Sequence, residues 1–154
     1  ARAEAFALTG RYQDALNDLN IWTALRADAT EYVYGKHVLY KDLLLSHYSA
    51  DLANEDHFIN SRYNASKFTA TGDELRFQKA LILAILDARK LEFLREGIRH
   101  FDILRWFIPV YHATADGQRS ELTPEDDRRV IQLPQVVSLS GVEQNPWSNV
   151  GAWY

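Results

Sequence analysis

The clearest helical pattern in the chain covers residues 73–96. Apolar residues recur there at spacings of three and four, which predicts an amphipathic helix. The apolar stripe is wide, as in helices buried on more than one side, and consists of Leu75, Leu81, Ala84, Leu86, Ala88, Leu91 and Phe93. Asp73 is the predicted N-cap and Gly97 the predicted end. A short helix, His100–Trp106, is predicted to follow.

Residues 1–28 have the pattern of a helical hairpin. Gly10 interrupts two apolar stripes, and the spacing of Tyr12, Ala15, Leu16 and Leu19 matches the turn and second helix of a tetratricopeptide-type unit. One such unit does not bury its apolar face alone, so it must stack on further helices. We therefore predict an all-α fold in which this hairpin packs on the other helices.

The remaining segments predict long irregular connections. Tyr32 and Tyr34 alternate with other residue types, which suggests a short strand, whereas Val38–Tyr48 has a helical pattern. Residues 55–71 and 112–127 are polar and irregular, the latter with a turn signal at 116–117. Further along, we expect a turn at 123–126, an extended segment at 130–134 and a surface wrap or frayed end at 141–154. The prediction is one domain, residues 1–154.

Composition excludes several classes of protein. The net charge of −4 disfavours nucleic-acid binding, and the absence of cysteine excludes thiolate nucleophiles. The longest apolar run, Ala80–Leu86, is too short to span a bilayer. Because the chain contains no methionine and opens within a helical pattern, we expect it to be part of a longer protein.

Signals for catalysis and for cofactors are missing. The histidines are not spaced as zinc ligands on a helix, and there is neither a Gly-x-Ser-x-Gly motif nor a glycine-rich phosphate loop. We therefore expect no metal, no cofactor and no catalytic residue.

Acidic and basic residues alternate around Gly97 at helical spacings. They are Glu92, Glu96, Arg99, Asp102 and Arg105. One interpretation is a chain of carboxylate–guanidinium pairs that holds two helices at a fixed angle. The other is a catalytic carboxylate pair, Glu92 and Glu96. The first is favoured because each carboxylate has an arginine at helical spacing, which stabilises its ionised form.

Four aromatic residues lie outside the strong helical stripes: Tyr32, Tyr34, Tyr40 and Trp147. Flat aromatic rings pack against the C–H faces of sugars, and a tyrosine hydroxyl adds a hydrogen bond. These four residues are therefore candidates for a glycan-binding platform. The alternative, that they pack between segments of the chain, is favoured. Trp22 and Trp106 lie on predicted helices and are expected in the core.

Three segments resemble the SusD/RagB family, in the family's order. Residues 2–20 resemble its helical hairpin, and Ile131–Gln135 with Gln144–Pro146 resembles its closing stretch. The most distinctive segment runs from Leu86 to Trp106, and reads LDARKLEF and then EGIRHFDILRW. Its signature residues are Glu92, Glu96, Gly97, Arg99, Asp102, Arg105 and Trp106. Ala88 departs from the family pattern, which has glutamate at that position.

The resemblance implies the C-terminal part of a nutrient-binding lipoprotein that is not an enzyme. It implies a location on the outer-membrane surface of Bacteroidetes-like bacteria, through a lipid anchor outside this chain. It also implies an oligosaccharide ligand, or less often a peptide, and a SusC-like TonB-dependent transporter as partner. Two alternatives remain: a helical-repeat scaffold that binds only proteins, and a glycan-cleaving enzyme.

Overall fold

In a computed structural model of the chain, the structure describes residues 1–36, 38–93, 99–113, 119–124 and 126; for residues 112, 113, 119 and 120 it describes the backbone alone. The chain divides into two compact units, residues 1–106 and 107–154. Each is described by itself. That residues 1–154 form a single domain stays a prediction.

Helices account for most of the first unit, which confirms the all-α prediction. A short 3-10 helix, Phe58–Asn60, lies between α5 and α6. Along the described part of the chain, none of the helices is long and apolar enough to cross a membrane. The helices are α1 (Arg2–Leu8), α2 (Tyr12–Leu25), α3 (Ala27–Tyr34), α4 (Lys41–His47), α5 (Ser49–Ala53), α6 (Arg62–Ala65), α7 (Gly72–Glu92) and α8 (Arg99–Arg105).

The predicted N-terminal hairpin is formed by α1 and α2, which pack against each other and against α7. Gly10 has a φ of 79°, in the left-handed region that glycine adopts without steric cost. Ala7 and Ala15 are fully buried, because small side chains let the helices approach closely. The hairpin thus joins a core built from further helices, as the repeat-like pattern predicted.

Helix α7 is the centre of the first unit. Every residue from Ala80 to Leu86 is buried, since α1, α2, α4 and α5 all contact this helix. The helix ends at Glu92, within the predicted range, whereas residues 94–98 lie outside the described part. The predicted N-cap is wrong: the helix begins at Gly72, so Thr71 rather than Asp73 occupies that position. Asp73 lies in the first turn.

The strand predicted at Tyr32 and Tyr34 is wrong, because both residues lie in α3. Helical spacing buries Thr30 and Tyr34 together, and Gly35, with a φ of 64°, ends the helix. The alternation of residue types was therefore coincidental. The helix predicted over Val38–Tyr48 is present in a shorter form, α4. The segment predicted to be irregular, residues 55–71, contains α6 and the 3-10 helix.

The described part of the second unit is a β-hairpin. Strands β1 (Val110–Ala113) and β2 (Arg119–Leu122) are antiparallel, with Val110 opposite Leu122. The polar loop predicted over residues 112–127 therefore includes strand residues. Two antiparallel extended segments satisfy each other's backbone hydrogen bonds, which is the physical reason for the difference. The predicted segments at 130–134 and 141–154 lie outside the described residues.

Candidate functional site

One largely buried polar group in the first unit combines residues from three helices. We call it the buried ionic cluster: Glu4 of α1, Arg89 of α7, Asp102 and Arg105 of α8, and Trp106 directly after α8. The Asp102 and Trp106 side chains are each 1% exposed and Glu4 is 5% exposed. Charged residues are seldom buried this deeply unless they are paired.

The polar groups of this cluster are all paired. Arg105 donates two hydrogen bonds to the Glu4 carboxylate, at 2.5 and 2.6 Å, and its Nη2 donates to Asp102 Oδ1 at 2.8 Å. Arg89 Nε donates to Asp102 Oδ2 at 2.9 Å. The Trp106 indole N–H donates to Glu4 Oε1 at 3.0 Å. The two carboxylates therefore tie α1, α7 and α8 together.

The electrostatics of the cluster favour charged rather than reactive groups. Burial by itself would raise the pKa of Asp102, but hydrogen bonds from Arg89 and Arg105 outweigh it and hold that pKa below the ordinary value of 3.8. An aspartate that stays ionised and already accepts hydrogen bonds from two arginines is a poor general acid. The geometry suits holding helices together.

The arginine that pairs with Glu92 lies far from it in the sequence, not at helical spacing. The Glu92 carboxylate accepts hydrogen bonds from Arg26, at 3.0 and 3.1 Å, and from the Trp22 indole at 3.2 Å. The partners come from α2 and from the residue that follows it. The Arg26 hydrogen bonds, and then that of Trp22, lower the pKa of Glu92. Arg99, another residue of the signature, donates a hydrogen bond to the Leu86 carbonyl at 3.4 Å.

Glu96 and Gly97 lie outside the described residues, so the predicted catalytic pair of Glu92 and Glu96 stays a hypothesis. Among the described residues, no group of three or more acidic, histidine or cysteine side chains is arranged to hold a metal ion.

A second buried polar chain was missed at the level of sequence. The Tyr34 and Tyr48 hydroxyls are 2.9 Å apart, and the Tyr48 hydroxyl donates to Asp87 Oδ2 at 2.6 Å. Burial is the main reason that the pKa of both tyrosines is raised. Because Tyr34 is only 8% exposed, its ring offers no open face to a ligand.

The structure places the other candidate glycan-binding residues differently. Tyr32 is 90% exposed on α3, and Tyr40 is 49% exposed at the start of α4. Trp147 lies outside the described residues. Glycan binding by these aromatic residues stays a prediction. The expectation that Trp106 is buried is met, whereas Trp22 is partly exposed.

Further polar residues that sequence reasoning missed stabilise the same core. The fully buried Asn64 donates to the carbonyls of Phe58 and Trp106, at 2.8 and 2.7 Å. Gln78 donates to the carbonyl of Ala7 at 2.9 Å. The available signal was a polar residue within an apolar helical stripe, as with Gln78 between Phe77 and Ala80. That signal does not identify the partner.

Comparison with known proteins gave one match. The family model of the SusD family matches residues 1–137. No curated protein and no solved structure matches the chain significantly. SusD-family proteins are binding proteins rather than enzymes, and they bind glycans and other nutrients at the cell surface, where they are associated with the outer membrane. Since the match covers most of the chain and includes the hairpin and the signature around α8, this chain belongs to the SusD family.

Proposed function

We propose that this chain is the C-terminal region of a lipid-anchored glycan-binding protein that passes its ligand to a SusC-like TonB-dependent outer-membrane transporter. The observation that carries the proposal is the family match over residues 1–137. Glycan capture at the cell surface follows from the family. The transporter, the lipid anchor and the Bacteroidetes-like source are the further steps of this proposal.

Exposed aromatic side chains in the first unit support a role in binding sugars. Tyr32 and Tyr40 expose their rings to solvent, whereas most large apolar side chains of this unit are buried or half-buried. An exposed tyrosine offers both an apolar face and a hydroxyl, the combination that a pyranose ring uses. We propose these two residues, together with Trp147, as ligand contacts.

The buried ionic cluster supports the proposal indirectly. Binding energy is lost when a protein must become ordered around its ligand, so a preorganised frame helps a binding protein. Hydrogen bonds from Arg105 to Glu4 and from Arg89 to Asp102 hold α1, α7 and α8 together, and none of these residues lies on α3 or α4. The outer faces of α3 and α4 therefore remain available for a ligand.

Affinity electrophoresis of the chain through gels that contain different polysaccharides tests glycan capture. We expect one polysaccharide class to retard migration, and Tyr32→Ala with Tyr40→Ala to weaken the retardation. Phe101→Ala is the matched control, because Phe101 is also an exposed aromatic residue, 60% exposed, with no proposed ligand role. If Phe101→Ala reduced the retardation as much as the tyrosine substitutions do, the assignment of Tyr32 and Tyr40 as ligand contacts would be contradicted.

Transfer to a transporter needs a separate measurement. We expect the chain to co-elute with a SusC-like barrel in detergent during size-exclusion chromatography. A complex without retardation by any polysaccharide would favour the alternative function, a helical-repeat scaffold that binds only proteins. Retardation without a complex would leave glycan capture in place and contradict the transporter step.

A further inference from the structure

A cleft between α4 and the first turns of α7 has the composition of a small ligand site. It encloses about 390 Å³ and is lined by Lys41, Leu45 and Ser46 of α4 and by Asp73 and Arg76 of α7. This volume lies within the range of small-molecule sites. Tyr40, with its half-exposed ring, directly precedes Lys41 at the start of α4.

We infer that this cleft is a subsite for an acidic sugar, a pyranose that carries a carboxylate; the inference rests on the proposed glycan-binding function and names the ligand class. Its main support is the pair of cationic side chains that line the cleft, Lys41 and Arg76. Within the described residues, neither Lys41 nor Arg76 forms an ion pair. Both positive charges are therefore free to pair with a ligand carboxylate.

The position of Lys41 is set by packing. Its Nζ lies 5.3 Å from the centre of the Phe77 ring, and Phe77 is buried on α7 next to Arg76. A cation–π contact orients the ammonium group without neutralising its charge. Lys41 and Arg76 consequently face the same cleft from two different helices. An arginine also binds a carboxylate with two hydrogen bonds in one plane, which adds geometric selectivity.

The remaining lining residues suit the rest of a sugar. Asp73 and Ser46 supply acceptors and a hydroxyl for sugar hydroxyl groups, and Leu45 supplies an apolar contact. Asp73 would repel a second carboxylate on the same sugar ring. Two cations and one carboxylate leave a single positive charge, which matches a sugar ring with one carboxylate.

Isothermal titration calorimetry with trigalacturonate, and with oligomers of guluronate and glucuronate, tests the inference on the full chain. The fully methyl-esterified form of each oligomer is the matched neutral ligand. We expect at least one acidic oligomer to bind, its ester to bind about tenfold more weakly or worse, and added salt to weaken binding of the acid alone.

Two variants of the same helix locate the binding. Arg76→Gln removes a cleft charge near the start of α7, whereas Lys90→Gln removes an exposed charge from its last turn, about 20 Å away. We expect Arg76→Gln and Lys41→Gln each to lower the affinity about tenfold and Lys90→Gln to leave it within about twofold. Thermal unfolding of each variant checks that the fold is kept.

Three results would overturn the inference: equal binding of acid and ester, equal loss in Arg76→Gln and Lys90→Gln, or no binding of any acidic oligomer. Retardation by neutral polysaccharides together with any of these results would leave the proposed glycan capture intact. No binding of either neutral or acidic glycans would remove both proposals.

Discussion

Asp102 and Glu92 belong to the same sequence signature, and both are paired with arginine, yet their surroundings differ greatly. The Asp102 side chain is 1% exposed and contacts Arg89 and Arg105 within the buried ionic cluster. The Glu92 side chain is 36% exposed, and its partner Arg26 is 56% exposed. The comparison separates two roles that look identical in the sequence. Inside the protein, arginine side chains take the place of water as hydrogen-bond donors to Asp102. The pair of Glu92 and Arg26 forms at the surface, where both side chains also contact water.

The energetic consequence follows from solvation. A charge that has been removed from water depends on its partners for stabilisation, so the loss of one partner leaves the other uncompensated. When a pair at the surface is broken, water hydrates the charge that remains. Dissolved salt also screens the attraction between the two charges of such a pair. We therefore expect the loss of one partner to cost more in the buried ionic cluster than in the pair of Glu92 and Arg26. The following predictions are ordered by the size of the expected effect.

Asp102→Ala should have the largest effect. It leaves the largely buried Arg89 without its carboxylate partner, which should lower the free energy of unfolding by about 3–5 kcal/mol. Urea denaturation measures the change, and Asp56→Ala, at an exposed loop position, serves as the control. An equal loss in the two variants would mean that burial of Asp102 has no special role.

Trp106→Phe should follow in size. It removes one hydrogen bond to the charged carboxylate of buried Glu4, with an expected cost of about 1–3 kcal/mol, in addition to a packing defect. Trp22→Phe removes the same kind of donor from exposed Glu92 and should cost less. Chemical denaturation of both variants compares them directly. If Trp22→Phe proved more destabilising, the distinction between buried and exposed pairs would fail.

The free energy of unfolding should depend on pH through the Asp102 carboxylate. The folded-state pKa of Asp102 is lowered, so its stabilising contribution is present above the ordinary value of 3.8 and is lost as the pH falls through the folded-state pKa. The free energy of unfolding should therefore decrease as the pH drops below about 4. Asp102→Asn should make this decrease shallower, as measured by urea denaturation between pH 7 and pH 3. A dependence identical to that of the unmodified chain would contradict the assignment.

Glu92→Gln should have the smallest effect. Water and the neutral amide replace most of what the carboxylate gains from Arg26, so the midpoint of denaturation should hardly change. Any difference from the unmodified chain should vanish when the salt concentration is raised to about 1 M, because screening is then nearly complete. A large, salt-independent loss would show that this pair also behaves as a buried one.

The parts of the fold that local patterns control were predictable. Gly10 divided the hairpin as expected, and the apolar run Ala80–Leu86 identified the most buried helix. The signature around α8 identified the family, which the comparison confirmed. Predictions were wrong where a short pattern fits two kinds of structure. Tyr32 and Tyr34 alternate as in a strand, yet helical burial of Thr30 and Tyr34 decides the segment.

The candidate sites show the same division. The exposure of Tyr40 and the cleft beside it depend on how α4 lies against α7, which no local pattern contains. The buried tyrosine chain that ends at Asp87 joins residues of three separate segments. Sequence reasoning selected residue types that are suited to binding sugars but had no means of separating the exposed Tyr32 from the buried Tyr34.

The sequence by itself determined the helical class, the central helix and the family, because periodicity, glycine positions and a short signature are local properties. Only the tertiary structure decided which charges are buried and which partners they have. Glu4 and Arg105 are 101 positions apart, and nothing near either residue indicates the other. Their pairing exists because packing of the helices places the buried Glu4 carboxylate against the Arg105 guanidinium, and a carboxylate removed from water needs such a partner.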